Sequence, residues 1–263
     1  RSSMKHSLLE VEDLKVYYYT REGTAKAVDK VNFIMNKGET IGLVGESGCG
    51  KSTLGLSILR LVPPPGRIAG GKIFFGGKDL TKLRNQEMPE IRGKQISMVF
   101  QDPMTSLNPL MKIGDHLIET ITSHENVTRE EAKERALSLL SNVGILPDRF
   151  DDYPHQFSGG MRQRVGIALA LALNPDLVIA DEPTSSLDVI VQSQILDLMR
   201  KLRKLYDMGM ILVSHDISIV SEIAEKIALM YAGHLVEFAG VIPFFEKPLH
   251  PYAEALLRSV PNV

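Results

Sequence analysis

The stretch Thr40-Ile-Gly-Leu-Val44, followed by Gly45-Glu-Ser-Gly-Cys-Gly-Lys-Ser-Thr53, decides the fold of this sequence. The first part is a nearly continuous apolar run, as expected for a central strand of a parallel sheet. The glycine-rich part leads into an apolar stretch that continues to Val62 and stops at Pro63-Pro64-Pro65. This order predicts a buried strand, a glycine loop and a helix.

The glycine-rich part matches the Walker A pattern Gly45-x4-Gly50-Lys51-Ser52. Its glycines allow the backbone to curve so that N–H groups point at phosphate oxygens, and the helix adds its positive end. Lys51 places a charge at the β and γ phosphates, and the Ser52 hydroxyl is a Mg²⁺ ligand. We therefore predict a nucleotide site rather than a plain glycine turn, formed by Gly45, Ser47, Gly48, Cys49, Gly50, Lys51, Ser52 and Thr53.

Cys49, the single cysteine of the chain, lies inside this loop. One interpretation is a redox or alkylation switch, because the N-terminus of a helix lowers the pKa of a thiol. The other is a small residue whose backbone N–H matters and whose side chain does not. We favour the second interpretation.

Strands and helices alternate along the rest of the chain, which predicts an α/β protein with right-handed βαβ units and a mostly parallel sheet. Thr128 with Glu131 three residues later predicts a capping box, and Gly144 follows the end of that helix. The predicted strands are 8–11, 16–19, 27–36, 40–44, 72–75, 96–100, 177–180 and 210–213; the predicted helical segments are the stretch after the loop, the region 113–143, and 165–173 and 189–206.

Two acids end the buried strand 177–180. At the carboxyl end of such a strand, Asp181 can hold Mg²⁺ through water, and Glu182 can orient or deprotonate the attacking water. Alone, an apolar strand ending in Asp-Glu indicates no more than a turn. Because it follows a Walker A loop, we interpret it as a Walker B motif.

The segment Phe157-Ser158-Gly159-Gly160-Met161 precedes a predicted helix near Arg162. Ser158 can cap the helix while Gly159 and Gly160 leave backbone N–H groups accessible, which would make a second anion site. The alternative is a simple N-cap with a glycine turn, and the segment alone does not decide between them.

Three further residues carry weaker signals. His215 follows the buried strand 210–213, again at a carboxyl end, although a lone histidine is usually structural. Gln101 ends the strand 96–100. Tyr18 lies among three tyrosines whose default role is packing on a sheet.

Composition excludes several classes of protein. Of 263 residues, 44% are hydrophobic and 24% charged, as in a globular protein, and 30 Lys+Arg against 32 Asp+Glu show no basic excess for binding nucleic acid. One cysteine excludes a disulfide scaffold. The apolar run 165–173 is too short to span a bilayer, and Arg1-Ser2-Ser3 is interpreted as a cloning remnant without a secretory signal. We therefore expect a soluble, intracellular protein.

In this order, the motifs resemble those of the nucleotide-binding subunits of ATP-binding-cassette (ABC) transporters, from about Leu8 to Pro261. The matching positions are the Walker A loop, Gln101, Phe157–Met161, Leu177–Asp181 with Glu182, Asp188 and His215. The resemblance implies a P-loop NTPase (RecA-like) core with a mostly parallel sheet, an N-terminal antiparallel β subdomain and an inserted α-helical subdomain at 102–160. One such domain would fill 1–263.

The resemblance also implies roles for these residues. Two domains would enclose two ATP molecules, each bound by one chain's Walker A loop and the other chain's Ser158, Gly159 and Gly160. Glu182 would be the catalytic base, with His215 bridging it, the water and the γ-phosphate. Gln101 would sense Mg²⁺, and Asp188 would link the two sites. Tyr18 would stack on adenine, with Tyr17 and Tyr19 as the less favoured candidates.

Phe157 and Met161 depart from the common Leu-Ser-Gly-Gly-Gln signature. With the segments Gln101–Pro109 and His250–Leu257, they are similar to the oligopeptide/dipeptide branch, which also includes nickel and oligosaccharide importers. Its members usually continue into a cysteine-containing tail that can carry an iron–sulfur cluster. We interpret 240–263 as the start of that extension, apparently truncated.

The function implied is an ATPase on the cytoplasmic face of the membrane that powers import of di- or oligopeptides, with ATP and Mg²⁺ as cofactors. The partners implied are a second ABC ATPase (the same chain or a paralogue), two transmembrane permeases and, indirectly, a solute-binding protein, without nucleic acid. The alternatives are import of oligosaccharides or nickel, and a non-transport ABC ATPase. A catalytically silent regulatory subunit is opposed by Glu182 and His215.

Overall fold

A computed structural model describes residues 7–105 and 107–259 of the chain. It divides into two compact units, the first built from the ranges 1–88 and 209–263 and the second from 89–208. The interpreted cloning remnant at Arg1–Ser3, Ser106 within the 101–109 segment, and the end of the chain at Val263 lie outside the described residues.

The secondary structure follows the predicted alternation along the chain. In order, the elements are β1 (Leu9–Thr20), β2 (Gly23–Met35), β3 (Thr40–Val44), α1 (Lys51–Ile58), β4 (Gly66–Phe75), β5 (Lys78–Asp79), β6 (Ile96–Val99), α2 (Ile113–His124), α3 (Arg129–Asn142), α4 (Gly159–Leu171), β7 (Leu177–Asp181), α5 (Val189–Tyr206), β8 (Gly209–Ser214), α6 (Ile217–Ser221), β9 (Lys226–Tyr231), β10 (His234–Gly240), α7 (Val241–Glu246) and α8 (Pro251–Ser259).

An antiparallel sheet in the order β2-β1-β4-β5 lies in the first unit, as the resemblance implies. The strands predicted at 8–11 and 16–19 are one strand, β1, with register shifts between them. Asp13 adopts a φ of 45° there, and its N–H donates to Asn32 Oδ1 over 2.8 Å. The charged interruption in the sequence is therefore a bulge within a continuous strand.

Strand β3 carries the loop of interest and has the predicted bounds. All of its residues are buried, and it pairs in parallel with β8 and β9, while β10 adds to β9 in an antiparallel direction. Leu54 and Ile58 of α1 meet Phe33, Ile41 and Ile211 around a small apolar gap. Strands β9 and β10 and helices α6–α8 were not predicted from the sequence.

The second unit pairs β6 with β7 in parallel and contains helices α2 to α5. Helix α5 has the predicted bounds, 189–206, whereas α4 starts at Gly159, slightly before the start predicted near Arg162 and ahead of the predicted segment 165–173. The early start is stabilised by Ser158, whose Oγ accepts a hydrogen bond from the Met161 N–H over 3.3 Å. The residues of the predicted helical subdomain 102–160 lie within this unit, and its bounds stay a prediction.

The capping box at the start of α3 is confirmed. Thr128 Oγ1 accepts the N–H of Glu131 over 3.2 Å, and Glu131 Oε2 accepts the N–H of Thr128 over 2.8 Å. Gly144, just past the end of the helix, has a φ of 76°. Within residues 7–105 and 107–259, no helix has both the length and the apolar character needed to cross a membrane.

Replacing Thr128 by alanine should lower the free energy of unfolding by about 1 kcal/mol, because the N–H of Glu131 at the start of α3 loses its side-chain acceptor. Urea unfolding followed by circular dichroism measures the change. Thr128→Ser is the control, since its hydroxyl keeps the cap. Equal stability of the alanine and serine variants would contradict the assignment.

Candidate nucleotide-binding site

The loop between β3 and α1 has the curvature that phosphate binding requires. Gly45 and Gly50 adopt φ values of 150° and 108°. A Cβ at Gly45 would lie 2.2 Å from the carbonyl oxygen of Met230, and one at Gly50 would lie 1.9 Å from that of Ala27. Only glycine therefore fits at these two positions, because the backbones of β2 and β9 hold the loop from both sides.

Lys51 is the buried cation of this loop. Lys51 is only 4% exposed. Its Nζ donates to the carbonyl oxygens of Gly45 over 2.8 Å and Glu46 over 2.9 Å. A buried ammonium requires such partners, and a phosphate oxygen is a stronger acceptor than a carbonyl. Ser52 follows in the first turn of α1, where it is exposed. The loop thus fits a phosphate group with an associated Mg²⁺.

Cys49 is bound into the loop through its backbone. Its N–H donates to the carbonyl of Glu46 over 3.2 Å, and its own carbonyl accepts the N–H of Gly233 over 2.9 Å. The side chain is buried, and this burial raises the pKa of the thiol, although Lys51 opposes the rise. These contacts favour the interpretation in which the backbone of Cys49, and not its side chain, contributes to the loop.

The three neighbouring tyrosines have different surroundings, and Tyr18 is the one at the loop. Its hydroxyl lies 3.5 Å from Thr53 Oγ1. A Cβ at Gly66 would lie 2.6 Å from Tyr18 Cε1, so the ring packs directly on that backbone. Tyr17 instead donates to Asp29 Oδ1 over 2.7 Å, which raises the pKa of Tyr17 to about 12. The ring of Tyr19 lies 4.3 Å from the guanidinium of Arg67.

His215 lies in the first unit, directly after β8, and is exposed. The N–H of Asp216 donates to Ser214 Oγ over 3.0 Å, and Asp216 caps α6 by accepting the Ser218 N–H over 2.8 Å. The turn that holds His215 is therefore fixed on both sides by local hydrogen bonds.

The second unit brings Gln101 and Glu182 together. Gln101 Nε2 lies 3.5 Å from Glu182 Oε2 and donates to Ser185 Oγ over 3.1 Å; Ser185 Oγ in turn donates to the carbonyl of Glu182 over 3.2 Å. Glu182 has a φ of 45°, a conformation that non-glycine residues adopt at an energetic cost and often at functional sites. Asp181, at the end of β7, is buried. Sequence reasoning missed Ser185, because no spacing pattern marks it.

Ser158 and Asp188 both cap helices. Asp188 Oδ1 accepts the N–H of Val191 over 3.0 Å at the start of α5, as Ser158 does for α4. Gly159 and Gly160 lie in the first turn of α4, and a Cβ at Gly160 would lie 2.6 Å from Val191 Cγ1. Ser158 and Asp188 are both exposed. Ser158 and Asp188 therefore have a structural role within one chain as helix caps. Because both are also exposed, they can have a second role in contact with another molecule.

The described residues hold no group of three or more His, Cys, Asp or Glu side chains suited to a metal ion. The predicted Mg²⁺ ligands are of a different kind, because Ser52 offers a hydroxyl, Gln101 an amide oxygen and Asp181 a single carboxylate. With nucleotide phosphates, such oxygen ligands suit Mg²⁺, which usually takes only one or two carboxylates.

Comparison with known proteins identifies the class. The chain belongs to the ABC transporter family, whose sequence profile matches residues 28–185. Its fold matches that of the dimeric ATP-binding cassette MJ0796 in a post-hydrolysis state with ADP and Pi, with a TM-score of 0.80 and 28% identity over 89% of this chain and 98% of that one. It also matches cbiO1 from Clostridium perfringens, part of the ABC transporter complex cbiONQ, with a TM-score of 0.80 and 26% identity over 92% of each chain.

Among curated proteins, the chain is 51% identical over 259 residues to the oligopeptide transport ATP-binding protein OppD of Bacillus subtilis (97% of this chain, 72% of OppD). It is 48% identical to the dipeptide transport ATP-binding protein DppD of B. subtilis (97% and 77%) and 44% identical to DppD of Escherichia coli (97% and 79%). The chain is therefore an ATP-binding and ATP-hydrolysing subunit of the ABC transporter family, similar to those of peptide importers. The predicted family and fold class are confirmed.

The rate of Cys49 alkylation should rise only at a pH above that at which an ordinary thiol becomes reactive. The reason is that burial raises the pKa of Cys49 and so lowers its thiolate fraction at neutral pH. The rate of maleimide modification from pH 6 to 10, compared with the same measurement on the urea-unfolded chain, checks this. Cys49→Ala should keep the ADP affinity within about twofold. An accessible thiolate at pH 7, or loss of affinity in the alanine variant, would favour the switch interpretation.

Proposed function

We propose that this ATPase powers the import of di- or oligopeptides through membrane permeases. The observation that carries the proposal is the similarity to peptide transport ATP-binding proteins over 97% of the chain. The residues that hydrolysis needs are all present, which supports an active rather than a silent subunit.

The first unit would bind the phosphates and the adenine of the nucleotide. The loop N–H groups and Lys51 bind the phosphates, with Lys51 exchanging its carbonyl partners for phosphate oxygens. Tyr18 offers its ring to the adenine beside Thr53. Mg²⁺ would be held by Ser52, Gln101 and Asp181, where it neutralises charge on the β and γ phosphates.

Hydrolysis would use Glu182 as the base. A water attacks the γ-phosphorus and gives its proton to the Glu182 carboxylate, while the bond to the β-phosphate oxygen breaks and ADP leaves. Gln101 Nε2 contacts the carboxylate of Glu182, and Ser185 Oγ donates to the backbone carbonyl of Glu182, which together support a fixed position of this residue. His215 would bridge the water and the γ-phosphate.

The active unit would be a pair of cassettes, formed with the same chain or a paralogue. Ser158 and Asp188 are exposed, and Val189 and Ile190 beside Asp188 are 80% and 72% exposed. A cluster of large apolar side chains next to functional polar groups indicates a surface that a partner covers. The exposed Ser158 loop would there bind the partner's γ-phosphate, and Asp188 would link the two sites.

The remaining partners would be two transmembrane permeases and a solute-binding protein outside the membrane. With these partners, the chain would lie on the cytoplasmic face of the membrane, where ATP is available. ATP binding would close the pair of cassettes, and hydrolysis would reopen it. The transported peptide would contact the partners rather than this chain.

Replacing Glu182 by glutamine should lower ATP turnover at least about 100-fold and leave ATP affinity intact, because the amide cannot accept the proton of the water. Phosphate release under saturating ATP and equilibrium binding of ATP measure the two effects. Glu134→Gln, an exposed change on α3, is the matched control and should keep full turnover. Unchanged turnover in the Glu182 variant would remove Glu182 from the role of base.

Reconstitution tests the solute. The assay uses liposomes that contain this chain, its permease partners and their binding protein. These liposomes should accumulate labelled di- or oligopeptides when ATP is present on the membrane face that carries this chain. A complex with Lys51→Ala should accumulate none, because the phosphates lose their cation. Uptake of oligosaccharides or Ni²⁺ in place of peptides would overturn the peptide assignment, and ATP turnover that is insensitive to the permeases would overturn the transport role.

A further inference from the structure

The segment His250–Leu257 has no role in the function proposed so far. It forms most of helix α8, and it lies in the same compact unit as the phosphate-binding loop. The start of this helix is held from within the unit by a buried acid, and its tyrosine reaches the loop.

Glu237 of β10 is the buried acid. It is 7% exposed, and its carboxylate accepts the backbone N–H groups of Leu249 (3.0 and 3.1 Å) and His250 (2.9 Å). A buried carboxylate needs such donors, since it would otherwise lose its hydration without compensation. His250 Nδ1 then accepts the N–H of Tyr252 over 3.1 Å. These contacts fix the position of Tyr252.

Tyr252 packs against the hairpin that supports the loop. Its ring centroid lies 4.7 Å from that of Tyr231, the last residue of β9, with the planes tilted by 47°. The turn after Tyr231 contacts the loop directly, because the N–H of Gly233 donates to the carbonyl of Cys49.

The Tyr252 hydroxyl is the polar end of this contact. Its oxygen is buried, and within the described residues it has no hydrogen-bond partner of standard geometry. Burial raises the pKa of Tyr252, and the backbone N–H of Glu46 acts in the opposite direction, as a donor facing the oxygen does. The unpartnered hydroxyl therefore lies near the backbone of Glu46, the second residue of the phosphate-binding loop.

The peptide bond between Gly45 and Glu46 connects this hydroxyl to Lys51. Its N–H is the backbone group near the Tyr252 hydroxyl, and its C=O accepts a hydrogen bond from Lys51 Nζ over 2.8 Å. Because a trans peptide is planar, its N–H and C=O point in opposite directions and turn together. A group that holds the N–H thus also sets the direction of the carbonyl that positions Lys51.

We propose that Tyr252 is a positioning residue for the phosphate-binding loop, and that helix α8 supports nucleotide binding through it. The Tyr252 hydroxyl orients the Gly45–Glu46 peptide, and Glu237 keeps the hydroxyl in place. The inference rests on the proposed role of this loop as the phosphate site.

The first test is ADP affinity. Tyr252→Phe keeps the ring and removes the hydroxyl, and it should raise the Kd for ADP with Mg²⁺ about three- to tenfold, because the Gly45–Glu46 peptide loses the polar group that orients it. Isothermal titration calorimetry on the 263-residue chain measures it. Tyr231→Phe is the matched control, because it changes the other ring of the pair, whose residue is exposed, and it should stay within twofold. ADP binding needs no catalytic base, permease or peptide, so failure here is distinct from failure of the import proposal.

The second test separates positioning from general stability. Cys49 is the single thiol of the chain, and its maleimide reaction without nucleotide reports opening of the loop. Tyr252→Phe should accelerate that reaction severalfold, without a fall in the melting temperature, and Glu237→Gln should act in the same direction. An unchanged Kd, an unchanged alkylation rate, an equal effect of Tyr231→Phe, or a loss of affinity only in step with a lower melting temperature would overturn the proposal.

Discussion

The candidate site of the first unit depends on close packing around the loop between β3 and α1. The carbonyl oxygens of Ala27 and Met230 approach the loop so closely that a single Cβ at Gly50 or Gly45 would collide with them. This close contact with β2 and β9 compensates for the entropy of ordering a glycine-rich loop. A loop ordered in advance can bind a phosphate with little reorganisation of its backbone, and only Lys51 exchanges its hydrogen-bond partners, which favours binding.

In the second unit, we assign two roles to each of two side chains. Ser158 and Asp188 satisfy N–H groups at the starts of α4 and α5, and the same exposed residues are those that we propose to act across a pair of cassettes. The cap holds each side chain in one rotamer, so little additional entropy is lost when a partner arrives. The structural interpretation of these residues, as N-caps, and the functional one are therefore compatible.

Local patterns predicted much of the fold. The bounds of β3 are marked by an apolar run that ends at a glycine loop, and the starts of α5 and α3 are marked by N-caps that bond within three residues, so these local patterns were sufficient. Two strands were separated at Glu12 and Asp13 because charged residues normally end a strand, whereas here they form a bulge. The elements after β8 were missed, since α6 and α7 are too short to show a helical period.

The sequence by itself determined the family, the phosphate-binding loop and the order of the motifs, because each of these is written in neighbouring residues. Only the tertiary structure decided which of three tyrosines meets the loop, and that Ser185 joins Gln101 and Glu182. It also decided that Glu237 is the buried anchor of α8. Most of these contacts join residues that are far apart in the chain. Packing against distant strands selects them, and no local pattern of residues encodes that packing.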